Sequence, residues 1–351
     1  MRKKLFCLCA ITSLTSAIFL NGCGSTTTSS SSETTTASEA TTKLSLESSL
    51  ETTYPYSYEA TDATGTSYEQ TLTHIPEKVI TNNQSSTELL LELGLGDKII
   101  GTVAKDNETL DRLKEQYDAI PILSDKREIS KETIVGMEPD IVIGRAKSFT
   151  DDSFGTIEDL NAMGISVYTQ EAARMDEEQT LESILTDIRN IGTIFNIQEE
   201  ANAYADRLQQ RLSDIEEKAS TISSSEKQVL VMVNYQNGTF GAYGKNATLQ
   251  NNMLETLHAQ NVLDAGANGL SSENLISLNP DVIIYINSSN NAETDETAVE
   301  SLLNDPVLAS VPAIQEKQII SIDYNAFMGY GFQTFDCMET LAKFLYPDTF
   351  E

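Results

Sequence analysis

Tryptophan is absent from the 351 residues, histidine occurs twice and cysteine four times. Each shortage removes a class of chemistry. With only His74 and His258, no zinc or manganese site built from several imidazoles and carboxylates is expected. His74 precedes Ile75-Pro76 in a connecting stretch, and His258 falls in the last turn of a helical segment, where a His serves the helix dipole or the core. The chain has no G-x-S-x-G, no P-loop and no H-E-x-x-H, and its Gly94-Leu95-Gly96 closes a helix instead of opening one. An enzyme of hydrolase or chelatase type would need a nucleophile with its base, or a metal cluster, and these residues offer little for either. Basic residues are also few, 23 against 53 acidic ones for a net charge of -30. Nucleic acid and anionic membrane surfaces are therefore disfavoured as partners.

What is present begins with an address. Arg2, Lys3 and Lys4 precede an apolar stretch, Leu5 to Leu20, that is too short and too broken by Ser and Thr to span a membrane, and Leu20-Asn21-Gly22-Cys23 follows. That ending resembles a bacterial lipobox, cut before Cys23, whose sulfur then carries the lipid. Acyl chains hold such a protein by about 0.8 kcal/mol per buried CH₂. Residues 1–22 are thus expected to be a signal peptide and the mature chain to sit on the extracytoplasmic side of the cell membrane. Loss of the three basic residues takes the charge from -30 to -33. Cys7 and Cys9 leave with the signal and Cys23 is modified, so Cys337 alone remains and no internal disulfide is expected. Residues 23–53 are Ser, Thr, Glu and Ala with few large apolar groups, the composition of a disordered tether.

Within the body, Ile129 to Ile143 (ISKETIVGMEPDIVI) is echoed by Leu270 to Ile284 (LSSENLISLNPDVII) after 141 positions, 270 minus 129. Ser130/Ser271, Glu132/Glu273, Pro139/Pro280 and Asp140/Asp281 stay in register. Each copy reads as a Ser-capped short helix, a Pro stop and a buried strand. Two copies so far apart suit two similar α/β lobes better than a solenoid of 20 to 50 residue period. Strand, polar loop and helix alternate on both sides of the repeat, which predicts mostly parallel sheets flanked by helices. Ser85 and Glu88 have capping-box spacing, and Asn196 with Glu199 marks a further cap. Between the lobes Tyr204, Leu208, Leu212, Ile215, Ala219 and Ile222 recur at helical period. The expected divisions are an N-terminal α/β lobe at 54–196, a linking helix at 197–222 and a C-terminal α/β lobe at 223–351.

Ligands of open α/β sheets lie beyond the carboxyl ends of the strands. That rule selects Asn82, Asn83, Ser85, Lys105, Arg145, Lys147, Tyr235, Tyr243, Lys245, Tyr324 and Phe327 as groove candidates. The binding set is expected to be Asn83, Ser85, Arg145, Tyr235, Tyr243 and Tyr324. Arg145 is chosen because a guanidinium directly after a buried strand can grip a carboxylate, hydroxamate or phosphate bidentately. The tyrosines would stack on a flat ligand or cap the core.

The lipobox, the Ser/Thr tether, the segment E-L-L-x-x-L-G-L-G-D-K-I-I-G at Glu88 to Gly101, the paired P-D-[IV]-[IV]-I segments and the long central helix together resemble the substrate-binding lipoproteins of iron-siderophore and cobalamin ABC importers, over roughly residues 77–351. The resemblance implies two α/β lobes joined by one stiff helix, a ferric siderophore or corrinoid carried in the cleft between them, no cofactor of the protein's own and no catalysis. It also implies that Glu132 and Glu273, one per lobe, dock into the paired permease subunits. Taken from the sequence alone, both glutamates would do no more than offset a helix dipole. The absence of Trp, and the stretch YNAFMGYGFQ after Asp323 where relatives carry a basic residue, leave room for haem, with Met328 and a Tyr as iron ligands.

Overall fold

A computed structural model describes residues 51–124 and 128–350. The signal peptide, the lipidation at Cys23 and the tether as far as residue 50 lie outside the described residues. Of the segment expected to be a tether, residues 51–53 are described. Thr52 is already fastened, its amide to Asn196 Oδ1 at 2.8 Å and its hydroxyl to the Thr193 carbonyl at 2.7 Å.

An antiparallel hairpin, β1 (Tyr56–Thr61) and β2 (Ser67–Leu72), leads into the first lobe. Its sheet comprises β3 (Val79–Thr81), β4 (Ile99–Gly101), β5 (Ile141–Gly144) and β6 (Ser166–Thr169) in the order β4-β3-β5-β6, all parallel. The second lobe contains β7 (Lys227–Gln236), β8 (Thr239–Tyr243), β9 (Ala259–Asn261), β10 (Ala267–Ser271), β11 (Val282–Asn287) and β12 (Ile319–Asp323) in the order β10-β8-β7-β11-β12, with β9 beside β7. Here the sheet is mixed. The β7–β8 and β8–β10 pairings are antiparallel, the others parallel. The β7–β8 hairpin has a sequence signal: Asn237 and Gly238 both hold positive φ, 50° and 75°, the two-residue turn that Asn-Gly favours.

The strands alternate between cores as a period of two requires. Val79, Ile141, Val229 and Val231 face one apolar core that runs through both lobes. Ile80 and Val142 face a separate cluster with Phe149 and Phe154, whereas Leu230 and Met232 face another with Tyr235 and Tyr285. The shared core is completed by two helices, Leu181–Ile194 and Gln198–Ala219, whose buried stripes include Ile184, Ile188, Leu208 and Leu212. At 22 residues the second spans about 33 Å. Its cap residue is Ile197. Asn196 takes instead the left-handed conformation (φ 57°) that joins the two helices, because Asn tolerates αL where most side chains do not. Among the described residues no helix is long and apolar enough to cross a membrane.

Both copies of the repeat fold alike. Ser130 and Ser271 cap their helices, Glu138 and Asn279 take matching left-handed turns (φ 50° and 49°), and the Asp after each Pro is an anchor. Asp140 Oδ2 accepts from the Glu77 and Lys78 amides and Asp281 Oδ2 from the Gln228 amide, which ties each repeat strand to the neighbouring strand's start.

The lobes are tied together at Glu88, which is fully buried. Ser85 and Glu88 form no capping box. The cap is Asn83, whose side chain accepts from the Ser86 amide, so Glu88 sits a turn further along the Gln84–Glu92 helix and points inward. Its Oε1 accepts from Gln84 Nε2 (2.9 Å) and Thr109 Oγ1 (2.6 Å), both of the first lobe; Oε2 accepts from Asn325 Nδ2 (2.7 Å) and Gln333 Nε2 (2.5 Å) of the second. Burial raises the Glu88 carboxyl above its ordinary range, against those four bonds, which lower it. A carboxyl raised by folding stabilises the fold below its unfolded value, and that contribution is lost as the pH climbs through the folded one. Glu88→Gln removes this titration, so its cost should be larger at about pH 4 than at about pH 7. Urea unfolding at the two pH values checks this, and an equal or larger cost at neutral pH would contradict it.

Candidate ligand-binding cleft

Above the Glu88 tie the two lobes leave a groove, and Arg145 forms its first-lobe wall. The residue follows β5 directly. Asn82, at the end of the adjoining β3, clamps its backbone, with Oδ1 accepting from the Arg145 amide (2.8 Å) and Nδ2 donating to the Arg145 carbonyl (3.2 Å). A side chain at position 144 would collide with that clamp, since a Cβ there would lie 1.8 Å from Asn82 Oδ1. From this position the guanidinium crosses to the other lobe. Nη2 donates to the carbonyls of Met328 (3.2 Å) and Gly329 (2.9 Å), and the group lies 5.1 Å from the centre of the Tyr330 ring. Its Nε has no protein partner.

A cavity of about 370 Å³ opens beside Arg145, walled by Lys147, Met175, Tyr243, Tyr324, Met328 and Tyr330. A second, of about 310 Å³, adjoins it across Tyr243 and Tyr324 and is lined by Asp106, Asn234, Ser288 and Asn291. Of the six expected binding residues the structure thus brings Arg145, Tyr243 and Tyr324 together. Asn83 and Ser85 lie beneath the groove instead: both are buried, Asn83 bonded to Asn82 and Gln170, Ser85 donating to Asn83 Oδ1 or, at 2.5 Å, to the Gly329 carbonyl. They hold the floor. Tyr235 is elsewhere, because β7 continues past Val233 to Gln236; the ring is buried behind the sheet and its hydroxyl donates to Asp305. Phe327 is fully buried in the shared core, and Lys105 and Lys245 pair with Asp118 and Asp264.

Tyr330 was missed in the sequence. It holds φ at 58°, a conformation that a bulky side chain rarely adopts and that marks functional segments when the surroundings enforce it. The enforcing neighbours are the flanking glycines, where a Cβ would approach the Asn325 carbonyl to 2.0 Å at Gly329 and the Ser85 Cβ to 2.8 Å at Gly331. The Gly-Tyr-Gly triplet was the available signal.

Chemically the larger cavity is an aromatic and thioether slot with two cations. Burial pushes the Tyr243 hydroxyl up to about 12, with Tyr324 and Tyr330 adding to the rise, and burial likewise raises Tyr330, so both stay neutral at physiological pH. Met175 is 58% exposed at the mouth, an apolar contact waiting for a flat partner. Such walls suit a ligand with a broad apolar or conjugated face and peripheral anionic oxygens.

The profile of the family described as periplasmic binding protein matches residues 79–326, most of the chain. The chain belongs to that family. A Bacillus subtilis (strain 168) protein described as an uncharacterized ABC transporter substrate-binding lipoprotein, YvrC, is 25% identical over 278 residues, 79% of this chain and 82% of its own. Among solved structures, a periplasmic binding protein from Veillonella parvula DSM 2008 superimposes with a TM-score of 0.73 at 26% identity, covering 85% of this chain and 93% of that one. An ABC-type Fe3+-hydroxamate transport system protein from Saccharomonospora viridis DSM 43017 (TM-score 0.68, 21% identity, 84% and 99% covered) and the S. aureus protein IsdE complexed with heme (0.58, 17%, 77% and 98%) share the fold. As in the periplasmic binding protein fold, the groove here lies between two lobes and beyond the strand ends. Glu132 and Glu273 are exposed on the first turns of the two repeat helices. The Glu132 carboxyl is held below its usual range by its own backbone amide and by Ser130.

Proposed function

We propose that this periplasmic binding protein is the lipid-anchored, extracytoplasmic receptor of an ABC importer, which captures a metal chelate, a ferric siderophore or a corrinoid, between its lobes and hands it to a permease dimer without chemistry. The observation that carries the ligand class is the slot in which Arg145 and Lys147 stand beside Tyr243, Tyr324 and Tyr330. Cations there match the acidic rim of a chelate, and the rings match its face. A haem is the second reading, favoured by Met328 lying with Tyr324 and Tyr330 in that slot, a thioether and phenols being known types of iron ligand. The shared apolar core supports a receptor whose lobes move little. Anchoring through Cys23 and the tether beginning there complete the proposal.

Docking is assigned to Glu132 and Glu273. A helix dipole explains either glutamate alone, whereas matched exposed carboxylates on equivalent helices suit a two-fold permease.

Titration with a panel of ferric siderophores, cobalamin and haem should give a saturable thermal shift for one class, and silence across the panel would overturn the ligand assignment. For an anionic ligand Arg145→Ala should weaken binding about tenfold or more, while an unchanged affinity would remove Arg145 from the site. The double variant Glu132→Arg, Glu273→Arg should keep ligand affinity and lose uptake and permease-stimulated ATP hydrolysis. Normal uptake would refute the docking role.

A further inference from the structure

We infer that a second binding site, for a small organic ammonium ion, lies outside the cleft, between the β1–β2 hairpin and the first lobe. The hairpin does not extend the sheet. It covers the edge strand β6 through side chains: Gln70 Oε1 accepts from the Val167 amide (2.8 Å), the Tyr58 hydroxyl donates to the Val167 carbonyl (3.0 Å), and the Thr61 amide donates to Thr169 Oγ1 (2.9 Å). Bridging of this kind leaves a cavity of about 420 Å³. At its far end the hairpin turn presses on the 174–177 segment, where a Cβ at Gly65 would lie 2.9 Å from the Asp176 Cβ.

The lining is aromatic and acidic. Tyr56 and Tyr58 stack with centroids 5.8 Å apart and an interplanar angle of 25°, and Tyr168 stands 6.1 Å from Tyr58. The Tyr58 hydroxyl is spent on Val167 and Tyr168 is buried behind it with its hydroxyl on Asp187, so the ring surface left to a ligand is that of the half-buried Tyr56 and Tyr58. Around the rings stand Glu59, Glu171 and Glu177 against the single cation Arg174. Arg174 is already shared among Glu171 (3.2 Å), Asp176 (2.7 Å) and Glu177 (3.1 Å). The wall therefore carries two negative charges in excess, three carboxylates less one guanidinium. Ring faces and net negative charge attract the same object, a cation with an apolar periphery. An anion is repelled, and a neutral sugar gains nothing from the charge.

The probe is choline chloride, titrated calorimetrically into the purified protein, with 3,3-dimethylbutan-1-ol, its neutral isostere, and N-acetylglucosamine as controls. Choline should bind saturably and the two neutral compounds should not. Tyr56→Ala should weaken choline about tenfold and Glu59→Gln about threefold, the latter loss shrinking in high salt. Arg145→Ala, in the cleft, should leave choline affinity unchanged. Glu59 is exposed, so its variant carries the test should Tyr56→Ala loosen the hairpin. No saturation with choline, equal binding of the isostere, preference for the sugar, or indifference to Glu59→Gln would each overturn the site.

Discussion

One buried carboxylate takes hydrogen bonds from both halves of the molecule, and the groove's geometry follows from it. Glu88 divides its oxygens between the lobes, Gln84 and Thr109 on one, Asn325 and Gln333 on the other. A buried charge is costly unless every lone pair is used. Satisfying it fixes the helix start at Gln333 and the short Tyr324–Met328 helix at Asn325 against the first lobe. The Met328–Tyr330 segment between them is thereby carried up to Arg145. Ser85 bonding to Gly329 and Arg145 bonding to Met328 and Gly329 then lock that segment as the cleft's inner wall.

Apolar packing agrees with this arrangement. A single core threads both sheets and the two central helices, so separating the lobes would expose apolar surface as well as break the Glu88 network. In the function proposed above, a protein built this way selects its ligand by a preformed slot more than by closure. That suits a rigid, bulky chelate, whose own shape is fixed before it arrives.

The repeat was the most legible part of the chain. Ser caps, Pro stops and Asp anchors work through local backbone chemistry, and local chemistry shows in sequence; so the parallel first sheet, the repeat strands and the central helix could be read from Ser130, Asp140, Ser271, Asp281 and the 3.6 period at Leu208 and Leu212. One rule, that ligands of such sheets lie beyond the strand ends, selected Arg145, Tyr243 and Tyr324, and the structure brings these three to one cavity. What failed were contacts that local pattern does not encode. Tyr235 was placed beyond a strand by the same rule, whereas β7 runs on to Gln236 and turns at Asn237-Gly238. Asn83 and Ser85 follow a strand as the rule requires, yet the second lobe descends onto them. Glu88 reads as the capping-box partner of Ser85 until Asn325 and Gln333, over 230 positions away, are placed beside it. Tyr330 needed the two close backbone approaches at its flanking glycines, which no periodicity reveals.

The central claim is that a metal chelate sits in the slot between Arg145 and the three tyrosines. Anomalous diffraction at the metal edge, from crystals grown with the chelate that binds best, locates the metal without reference to the protein's own density. The account predicts one strong peak between the lobes, beside Tyr243 and Tyr324. A peak on the outer surface of either lobe, with the slot empty, would contradict it.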